Sequence, residues 1–173
     1  MSRNRVPIAR ASVPMWWITA AVLAIAIVAQ TTLMQHVRVR DTEPSLVLVA
    51  VVWYALRADL RWAAIYGLAA GLLEDILATG TGAAWTISTT LVAIVASVAS
   101  RGFFADSIPI VVALTFGATL LRQLLFWMVM AFEGYPGGLG WLHFHEAIVK
   151  GVLDVLVMVV VMLVARRFDD RYA

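Results

Sequence analysis

Long apolar runs separated by short charged turns set the plan of this chain. The first run, 14–34, follows Arg3, Arg5 and Arg10; its 21 residues exceed the apolar core of a cleaved signal, so it reads as a retained first helix. Trp16 and Trp17 fall at its inner interface. A polar loop with His36, Arg38, Arg40 and Asp41 leads to the second run, 44–57, which opens on Glu43-Pro44. Proline in a first turn with an acid before it suits a helix start, where exposed amides favour negative charge. This run is short. From Pro44 to Leu56 it rises only about 20 Å, so it borrows flanking residues, lies in a thinned bilayer, or does not cross fully. Arg57, Asp59 and Arg61 make a tight turn into the third run, 62–78, and the fourth, 83–100, is rich in Ala, Ser and Thr, which suggests close helix contacts. The fifth run is 108–132. After the loop GYPGGLGWLHFH the sixth, 146–165, closes on Arg166, Arg167 and Arg171.

Composition turns this pattern into a class. The chain is 62% hydrophobic and 14% charged, against about 25% charged in soluble domains, and its mean hydropathy is +0.89. Apolar runs approach the roughly 20 residues that cross a hydrocarbon core, so the expectation is an all-α integral membrane protein, one six-span helix bundle over 1–173. Cysteine is absent, which removes disulfides, thiolate metal sites and thiol catalysis. The net charge of +2 would suggest nucleic acid in a soluble chain, but here the basic residues sit at span ends and report orientation. Six crossings put nine arginines on the side of the termini and two, Arg38 and Arg40, on the other, which places both termini in the cytoplasm.

With that orientation, the charges inside the spans gather in the non-cytoplasmic half. Glu74 and Asp75 end the third span, Lys150 and Asp154 lie in the outer half of the sixth, and Arg122 sits about 15 Å below the outer end of the fifth. Glu146, Lys150 and Asp154 are four apart, so one helix face alternates acid, base, acid. The two bases face four acids, an excess that protonation or a partner's base would relieve. Gly67, Gly71 and Asp75 are likewise four apart, giving a small-residue groove that ends in a carboxylate. The groove suits internal packing, with Asp75 paired to Arg122, or a surface for a partner helix or a ligand. The Arg122, Lys150, Asp154 set suits a structural charge network more than an ion path, since paired broken helices are not evident.

His143, His145 and Glu146 are zinc-ligand types, but their spacing is not H-E-x-x-H, and beside Trp141 and Phe144 they read as an interfacial belt, so no metal is expected. Serines and threonines of the fourth span lack an accompanying His-and-acid arrangement and are expected to bond local carbonyls. No cofactor or catalytic residue is expected.

The stretch EPSLVLV (43–49), the WYALR turn (53–57), GLAAGLLEDIL (67–77) and the following Gly82 resemble the bacterial rod shape-determining protein MreD family. Its members show a Pro-x-Leu opening to the second span and a Gly-xxx-Gly-Leu-Leu-x-Asp-Leu segment closing the third. Gln30-Thr31-Thr32 at the end of the first span also fits. The chain departs at Ala69, where the family often has an aromatic near the first glycine, and at Glu74, a second acid that leaves open whether Asp75 acts alone. The resemblance implies a non-enzymatic inner-membrane component of the cell-elongation machinery. Such a protein binds the single-span protein MreC and connects it with MreB and the peptidoglycan synthases. In that role Gly67, Gly71, Glu74, Asp75 and Gly82 are partner-binding or helix-packing positions. The family's fold is also similar to the substrate-binding subunits of energy-coupling-factor vitamin transporters. The alternative is therefore a solute-binding membrane subunit, with Asp75, Arg122 and Lys150 lining an outward-facing pocket.

Overall fold

The computed structural model describes residues 16–33, 42–78, 80–101, 107–134 and 140–172, with side chains to 167 from 143 onward in the last segment. The N-terminal arginines, the loop with His36, Arg38, Arg40 and Asp41, and the side chains of Trp141 and Arg171 lie outside the described residues. Among these residues the chain is all-helical. The elements are α1 (Trp16–Thr32), α2 (Leu46–Ala55), α3 (Leu60–Leu77), α4 (Ala84–Ser100), α5 (Ile108–Phe132) and α6 (Gly140–Tyr172). Two of them, α5 and the His143–Arg167 part of α6, are long and apolar enough to cross a membrane by length and composition.

The short α2 is the centre of the bundle. Its sequence LVLVAVVWYA has no polar face, and a helix apolar all round is stable only when enclosed. It packs against each of the other five helices, while α3, α4, α5 and α6 follow one another around it. One side of α2 (Val47, Ala50, Val51, Tyr54) joins a core with α1, α3 and α4; the other (Leu48, Val49, Val52) joins a core with α4, α5 and α6. At ten residues α2 rises about 15 Å, half a hydrocarbon core. The expected span of 44–57 is thus shortened at both ends. Pro44 stands before the helix, not in its first turn: Ser45 has extended backbone and caps α2, its hydroxyl accepting from Leu48 N at 3.2 Å.

The last helix is longer than expected. Residues 140–145, read from sequence as loop, begin α6, because no glycine or proline interrupts the chain between Trp141 and Lys150.

The α3–α4 pair is the closest contact in the fold. A Cβ built on Gly67 would lie 2.6 Å from Ala93 Cβ, and one on Gly71 would lie 2.6 Å from Thr86 Cα and 2.7 Å from the Trp85 carbonyl oxygen. Ala63 and Ala70 continue the same small-residue seam and are fully buried. The opposite face of α3 carries Ile65, Leu68, Leu72 and Ile76 outward, and Leu91, Val95, Leu124, Leu156 and Val160 do the same on later helices. Apolar side chains are therefore prominent on the exterior, while Arg122 and Asp154 lie within.

Candidate functional site

Arg122 holds the interior of the bundle together. It is 2% exposed, and an ionised side chain is almost never so buried without partners. Its three nitrogens reach three elements: Nη2 forms an ion pair with Glu74 Oε2 of α3, Nε donates to Thr89 Oγ1 of α4 at 3.0 Å, and Nη1 donates to Ser45 Oγ at 2.9 Å. The guanidinium also lies 4.4 Å over the ring of Trp85, which stacks on Phe126. The planar fork suits this task, since each N–H points along a fixed direction.

Ser45 links this group to the second carboxylate. Its backbone N–H donates to Asp154 Oδ1 at 2.6 Å, and Thr119 Oγ1 donates to Asp154 Oδ2 at 2.8 Å. Asp154 is completely enclosed. A carboxylate at the first amides of a helix is favoured by the partial positive charge there, so the short α2 brings a dipole end to an acid inside the bundle. At the same place Gln30 Oε1 accepts from Val47 N at 3.1 Å.

Asp75 does something different from what sequence spacing suggested. It does not pair with Arg122; its neighbour Glu74 does. Asp75 Oδ1 accepts from Thr81 Oγ1 at 3.0 Å and Trp85 N at 3.1 Å, and Oδ2 accepts from Thr86 N at 2.7 Å and from Thr86 Oγ1. It caps α4 from the end of α3. Consecutive helical residues point about 100° apart, so only one of two adjacent acids can face the bundle centre. Gly67, Gly71 and Asp75 do share a face, and α4 occupies that face, which leaves no room there for a partner helix.

Gly82 belongs to the loop before α4. Its φ of +55° favours glycine, and a Cβ would run into the Glu133 carboxylate, so the end of α5 sits directly on this turn.

Glu146 leaves the expected charge set. It bonds His143 Nδ1 at 3.0 Å on the exposed side of α6, and the His143 ring lies 3.8 Å from that of Trp127. Each four-residue step on a helix overshoots a turn by about 40°, so a stripe that buries Asp154 has rotated outward by Glu146. Among the described residues no group of three His, Asp or Glu is placed to hold a metal ion. In α4, Ser88, Thr90, Ser97 and Ser100 donate to backbone carbonyls, which removes the need for another role.

Lys150 lies at the edge of the buried cluster. It lines an open cavity of about 290 Å³ with Gln30, Glu43, Glu74, Trp85 and Arg122, at the end of the bundle where α1 and α3 finish and α2 and α4 begin. Chemically, then, the arrangement is a charged knot tying α2, α3, α4, α5 and α6, with a polar cavity on one side. Sequence reading found its charged members but missed Ser45, Thr89, Thr119 and Gln30; only Ser45, a cap-forming residue before an apolar run, gave a usable signal. Comparison with protein-family models, with curated proteins and with solved structures gave no match.

Proposed function

We propose that this chain is a six-span protein of the bacterial cytoplasmic membrane, with both termini in the cytoplasm, and a non-enzymatic scaffold of the cell-elongation machinery that supports peptidoglycan synthesis and cell shape. The membrane assignment is supported by the inverted polarity of the bundle. Arg122 and Asp154 lie inside, while Ile76, Leu124 and Val160 are each more than half exposed. In water that exterior would be an apolar surface far larger than the few hundred Å² a soluble monomer shows. In lipid it is the ordinary arrangement, since ionised side chains there turn to the bundle interior and pair.

The observation that carries the scaffold role is the meeting of the two stretches that resemble MreD. Ser45 of the first and Glu74 of the second both bind Arg122, and Asp75 fixes the start of α4. The resemblance therefore falls on residues that hold one helix arrangement, as a scaffold requires. The partner proposed is an MreC-like single-span protein, and through it MreB and the peptidoglycan synthases. Its helix packs on an outer apolar face of the bundle, because Gly67 and Gly71 are occupied by α4. The test is a pull-down of the tagged full chain in mild detergent with partners identified by mass, together with depletion in the native cell. Recovery of an MreC-like protein and rounding of rod-shaped cells are expected. Unchanged cell shape with no such partner overturns the proposal.

A further inference from the structure

We infer that the polar cavity beside Lys150 is a binding site for a small zwitterion, with the ligand's acid group on the Lys150 ammonium and its own ammonium toward the cavity's carboxylates. This goes beyond a scaffold role, since packing and partner binding do not require an occupied cavity.

The first reason is an imbalance of donors. Arg122 has an ion pair and two hydroxyl acceptors. Asp154, one turn from Lys150, has one oxygen on Ser45 N and the other on Thr119. Glu74 Oε2 is engaged by Arg122. Lys150 alone of these has no hydrogen bond or ion pair within the described residues, although it lines the cavity. Gln30, across the same cavity, has its carbonyl oxygen on Val47 N, which leaves its amide hydrogens to donate. The Lys150 ammonium and the Gln30 amide thus face the cavity with no hydrogen bond to another of the described residues, on a wall that also carries the Glu43 and Glu74 carboxylates. An intramembrane ionisable group that lines a cavity in this way points to a ligand.

The second reason is charge. Lys150 feels Arg122 and three carboxylates, Asp154, Glu74 and Glu43, so the neighbourhood is already acidic by one. A bare anion would add to that excess. A molecule that brings an acid for Lys150 and Gln30 and also an ammonium leaves the balance unchanged. The third reason is size. At about 290 Å³ the cavity is at the lower end of small-molecule pockets, which run about 300 to 1,000 Å³, and suits a headgroup or a metabolite of a few heavy atoms.

An acid and a primary ammonium a few bonds apart occur both in soluble metabolites and in zwitterionic lipid headgroups. The probes are therefore glycerophosphoethanolamine in solution and phosphatidylethanolamine in nanodiscs, with inorganic phosphate and phosphatidylglycerol nanodiscs as bare-anion controls. Binding to the whole chain is read by calorimetry and by native mass spectrometry. Saturable binding of glycerophosphoethanolamine assigns a soluble source, and retention of the lipid alone assigns a lipid source; both support the site. Lys150→Met is expected to weaken binding at least tenfold, and Lys150→Arg to retain most of it. Equal binding of the bare anions, no binding of either zwitterion, or an unchanged affinity in Lys150→Met overturns the proposal.

A second readout is thermal. Glycerophosphoethanolamine should raise the melting temperature of the parent and leave that of Lys150→Met unchanged. An equal rise in both proteins would place the ligand elsewhere and would also overturn the inference. Partner pull-down should be unaffected in Lys150→Met, so failure of this site and failure of the scaffold role are separable.

Discussion

Replacing Glu74 by Gln leaves the Arg122 guanidinium enclosed without a counter-charge, and such a loss costs about 3–5 kcal/mol. The double variant Glu74→Gln, Arg122→Met should be less destabilised than the sum of its single variants, because the second change removes the orphaned charge. Thermal unfolding of the four proteins in one detergent measures this coupling; additive effects would show that the pair is not a unit. Asp75 answers differently. Asp75→Ala removes acceptors from two backbone amides at the start of α4 and should cost about 1–2 kcal/mol, whereas Asp75→Asn, which still accepts, should cost less. Equal losses in the two variants would mean that charge, not capping, is what Asp75 supplies. The sequence singled out both acids but assigned the wrong one to Arg122. Adjacent helical residues differ only in the direction they face, and direction depends on which neighbour lies on each side. Thr89 and Thr119 were illegible for the same reason: a threonine that bonds a charge and one that bonds a carbonyl look alike in sequence.

At the scale of the element, the seam between α3 and α4 is the firmest prediction. Gly71→Leu would drive a side chain into the backbone of Thr86 and should cost about 3 kcal/mol or more, read as loss of monodisperse folded protein in detergent. Survival of the parent's melting temperature would mean that α4 is not seated on Gly71. The four-residue glycine spacing was legible because small residues at one face of a helix have a single physical use, close approach. Helix limits were less so. The polar and glycine-rich stretch before Glu146 resembled a loop, yet beyond Gly140 it contains nothing that breaks a helix. The second run looked like a short span because hydropathy reports the length of apolar sequence; whether that length is surrounded by lipid or by five other helices is set by tertiary packing.

For the molecule as a whole, the proposed orientation puts Arg101 on the cytoplasmic side and Glu133 on the other. The natural chain has no cysteine, so single cysteines at these positions report topology without background. In intact cells Glu133→Cys should react with a membrane-impermeant maleimide, and Arg101→Cys should react only after permeabilisation. The reverse pattern would invert the topology and move the polar cavity to the cytoplasmic face.

The central place of α2 has a consequence for biogenesis. In the proposed membrane setting, a segment of ten residues emerging from the ribosome has too little length to hold a transmembrane position unaided, and the groups that anchor its first turn, Arg122 and Asp154, are synthesised some 77 and 109 residues after Ser45. The second helix must therefore wait, loosely lodged beside the first, until the last two arrive and close over it. Chains stopped short of α5 should remain substrates for membrane quality control.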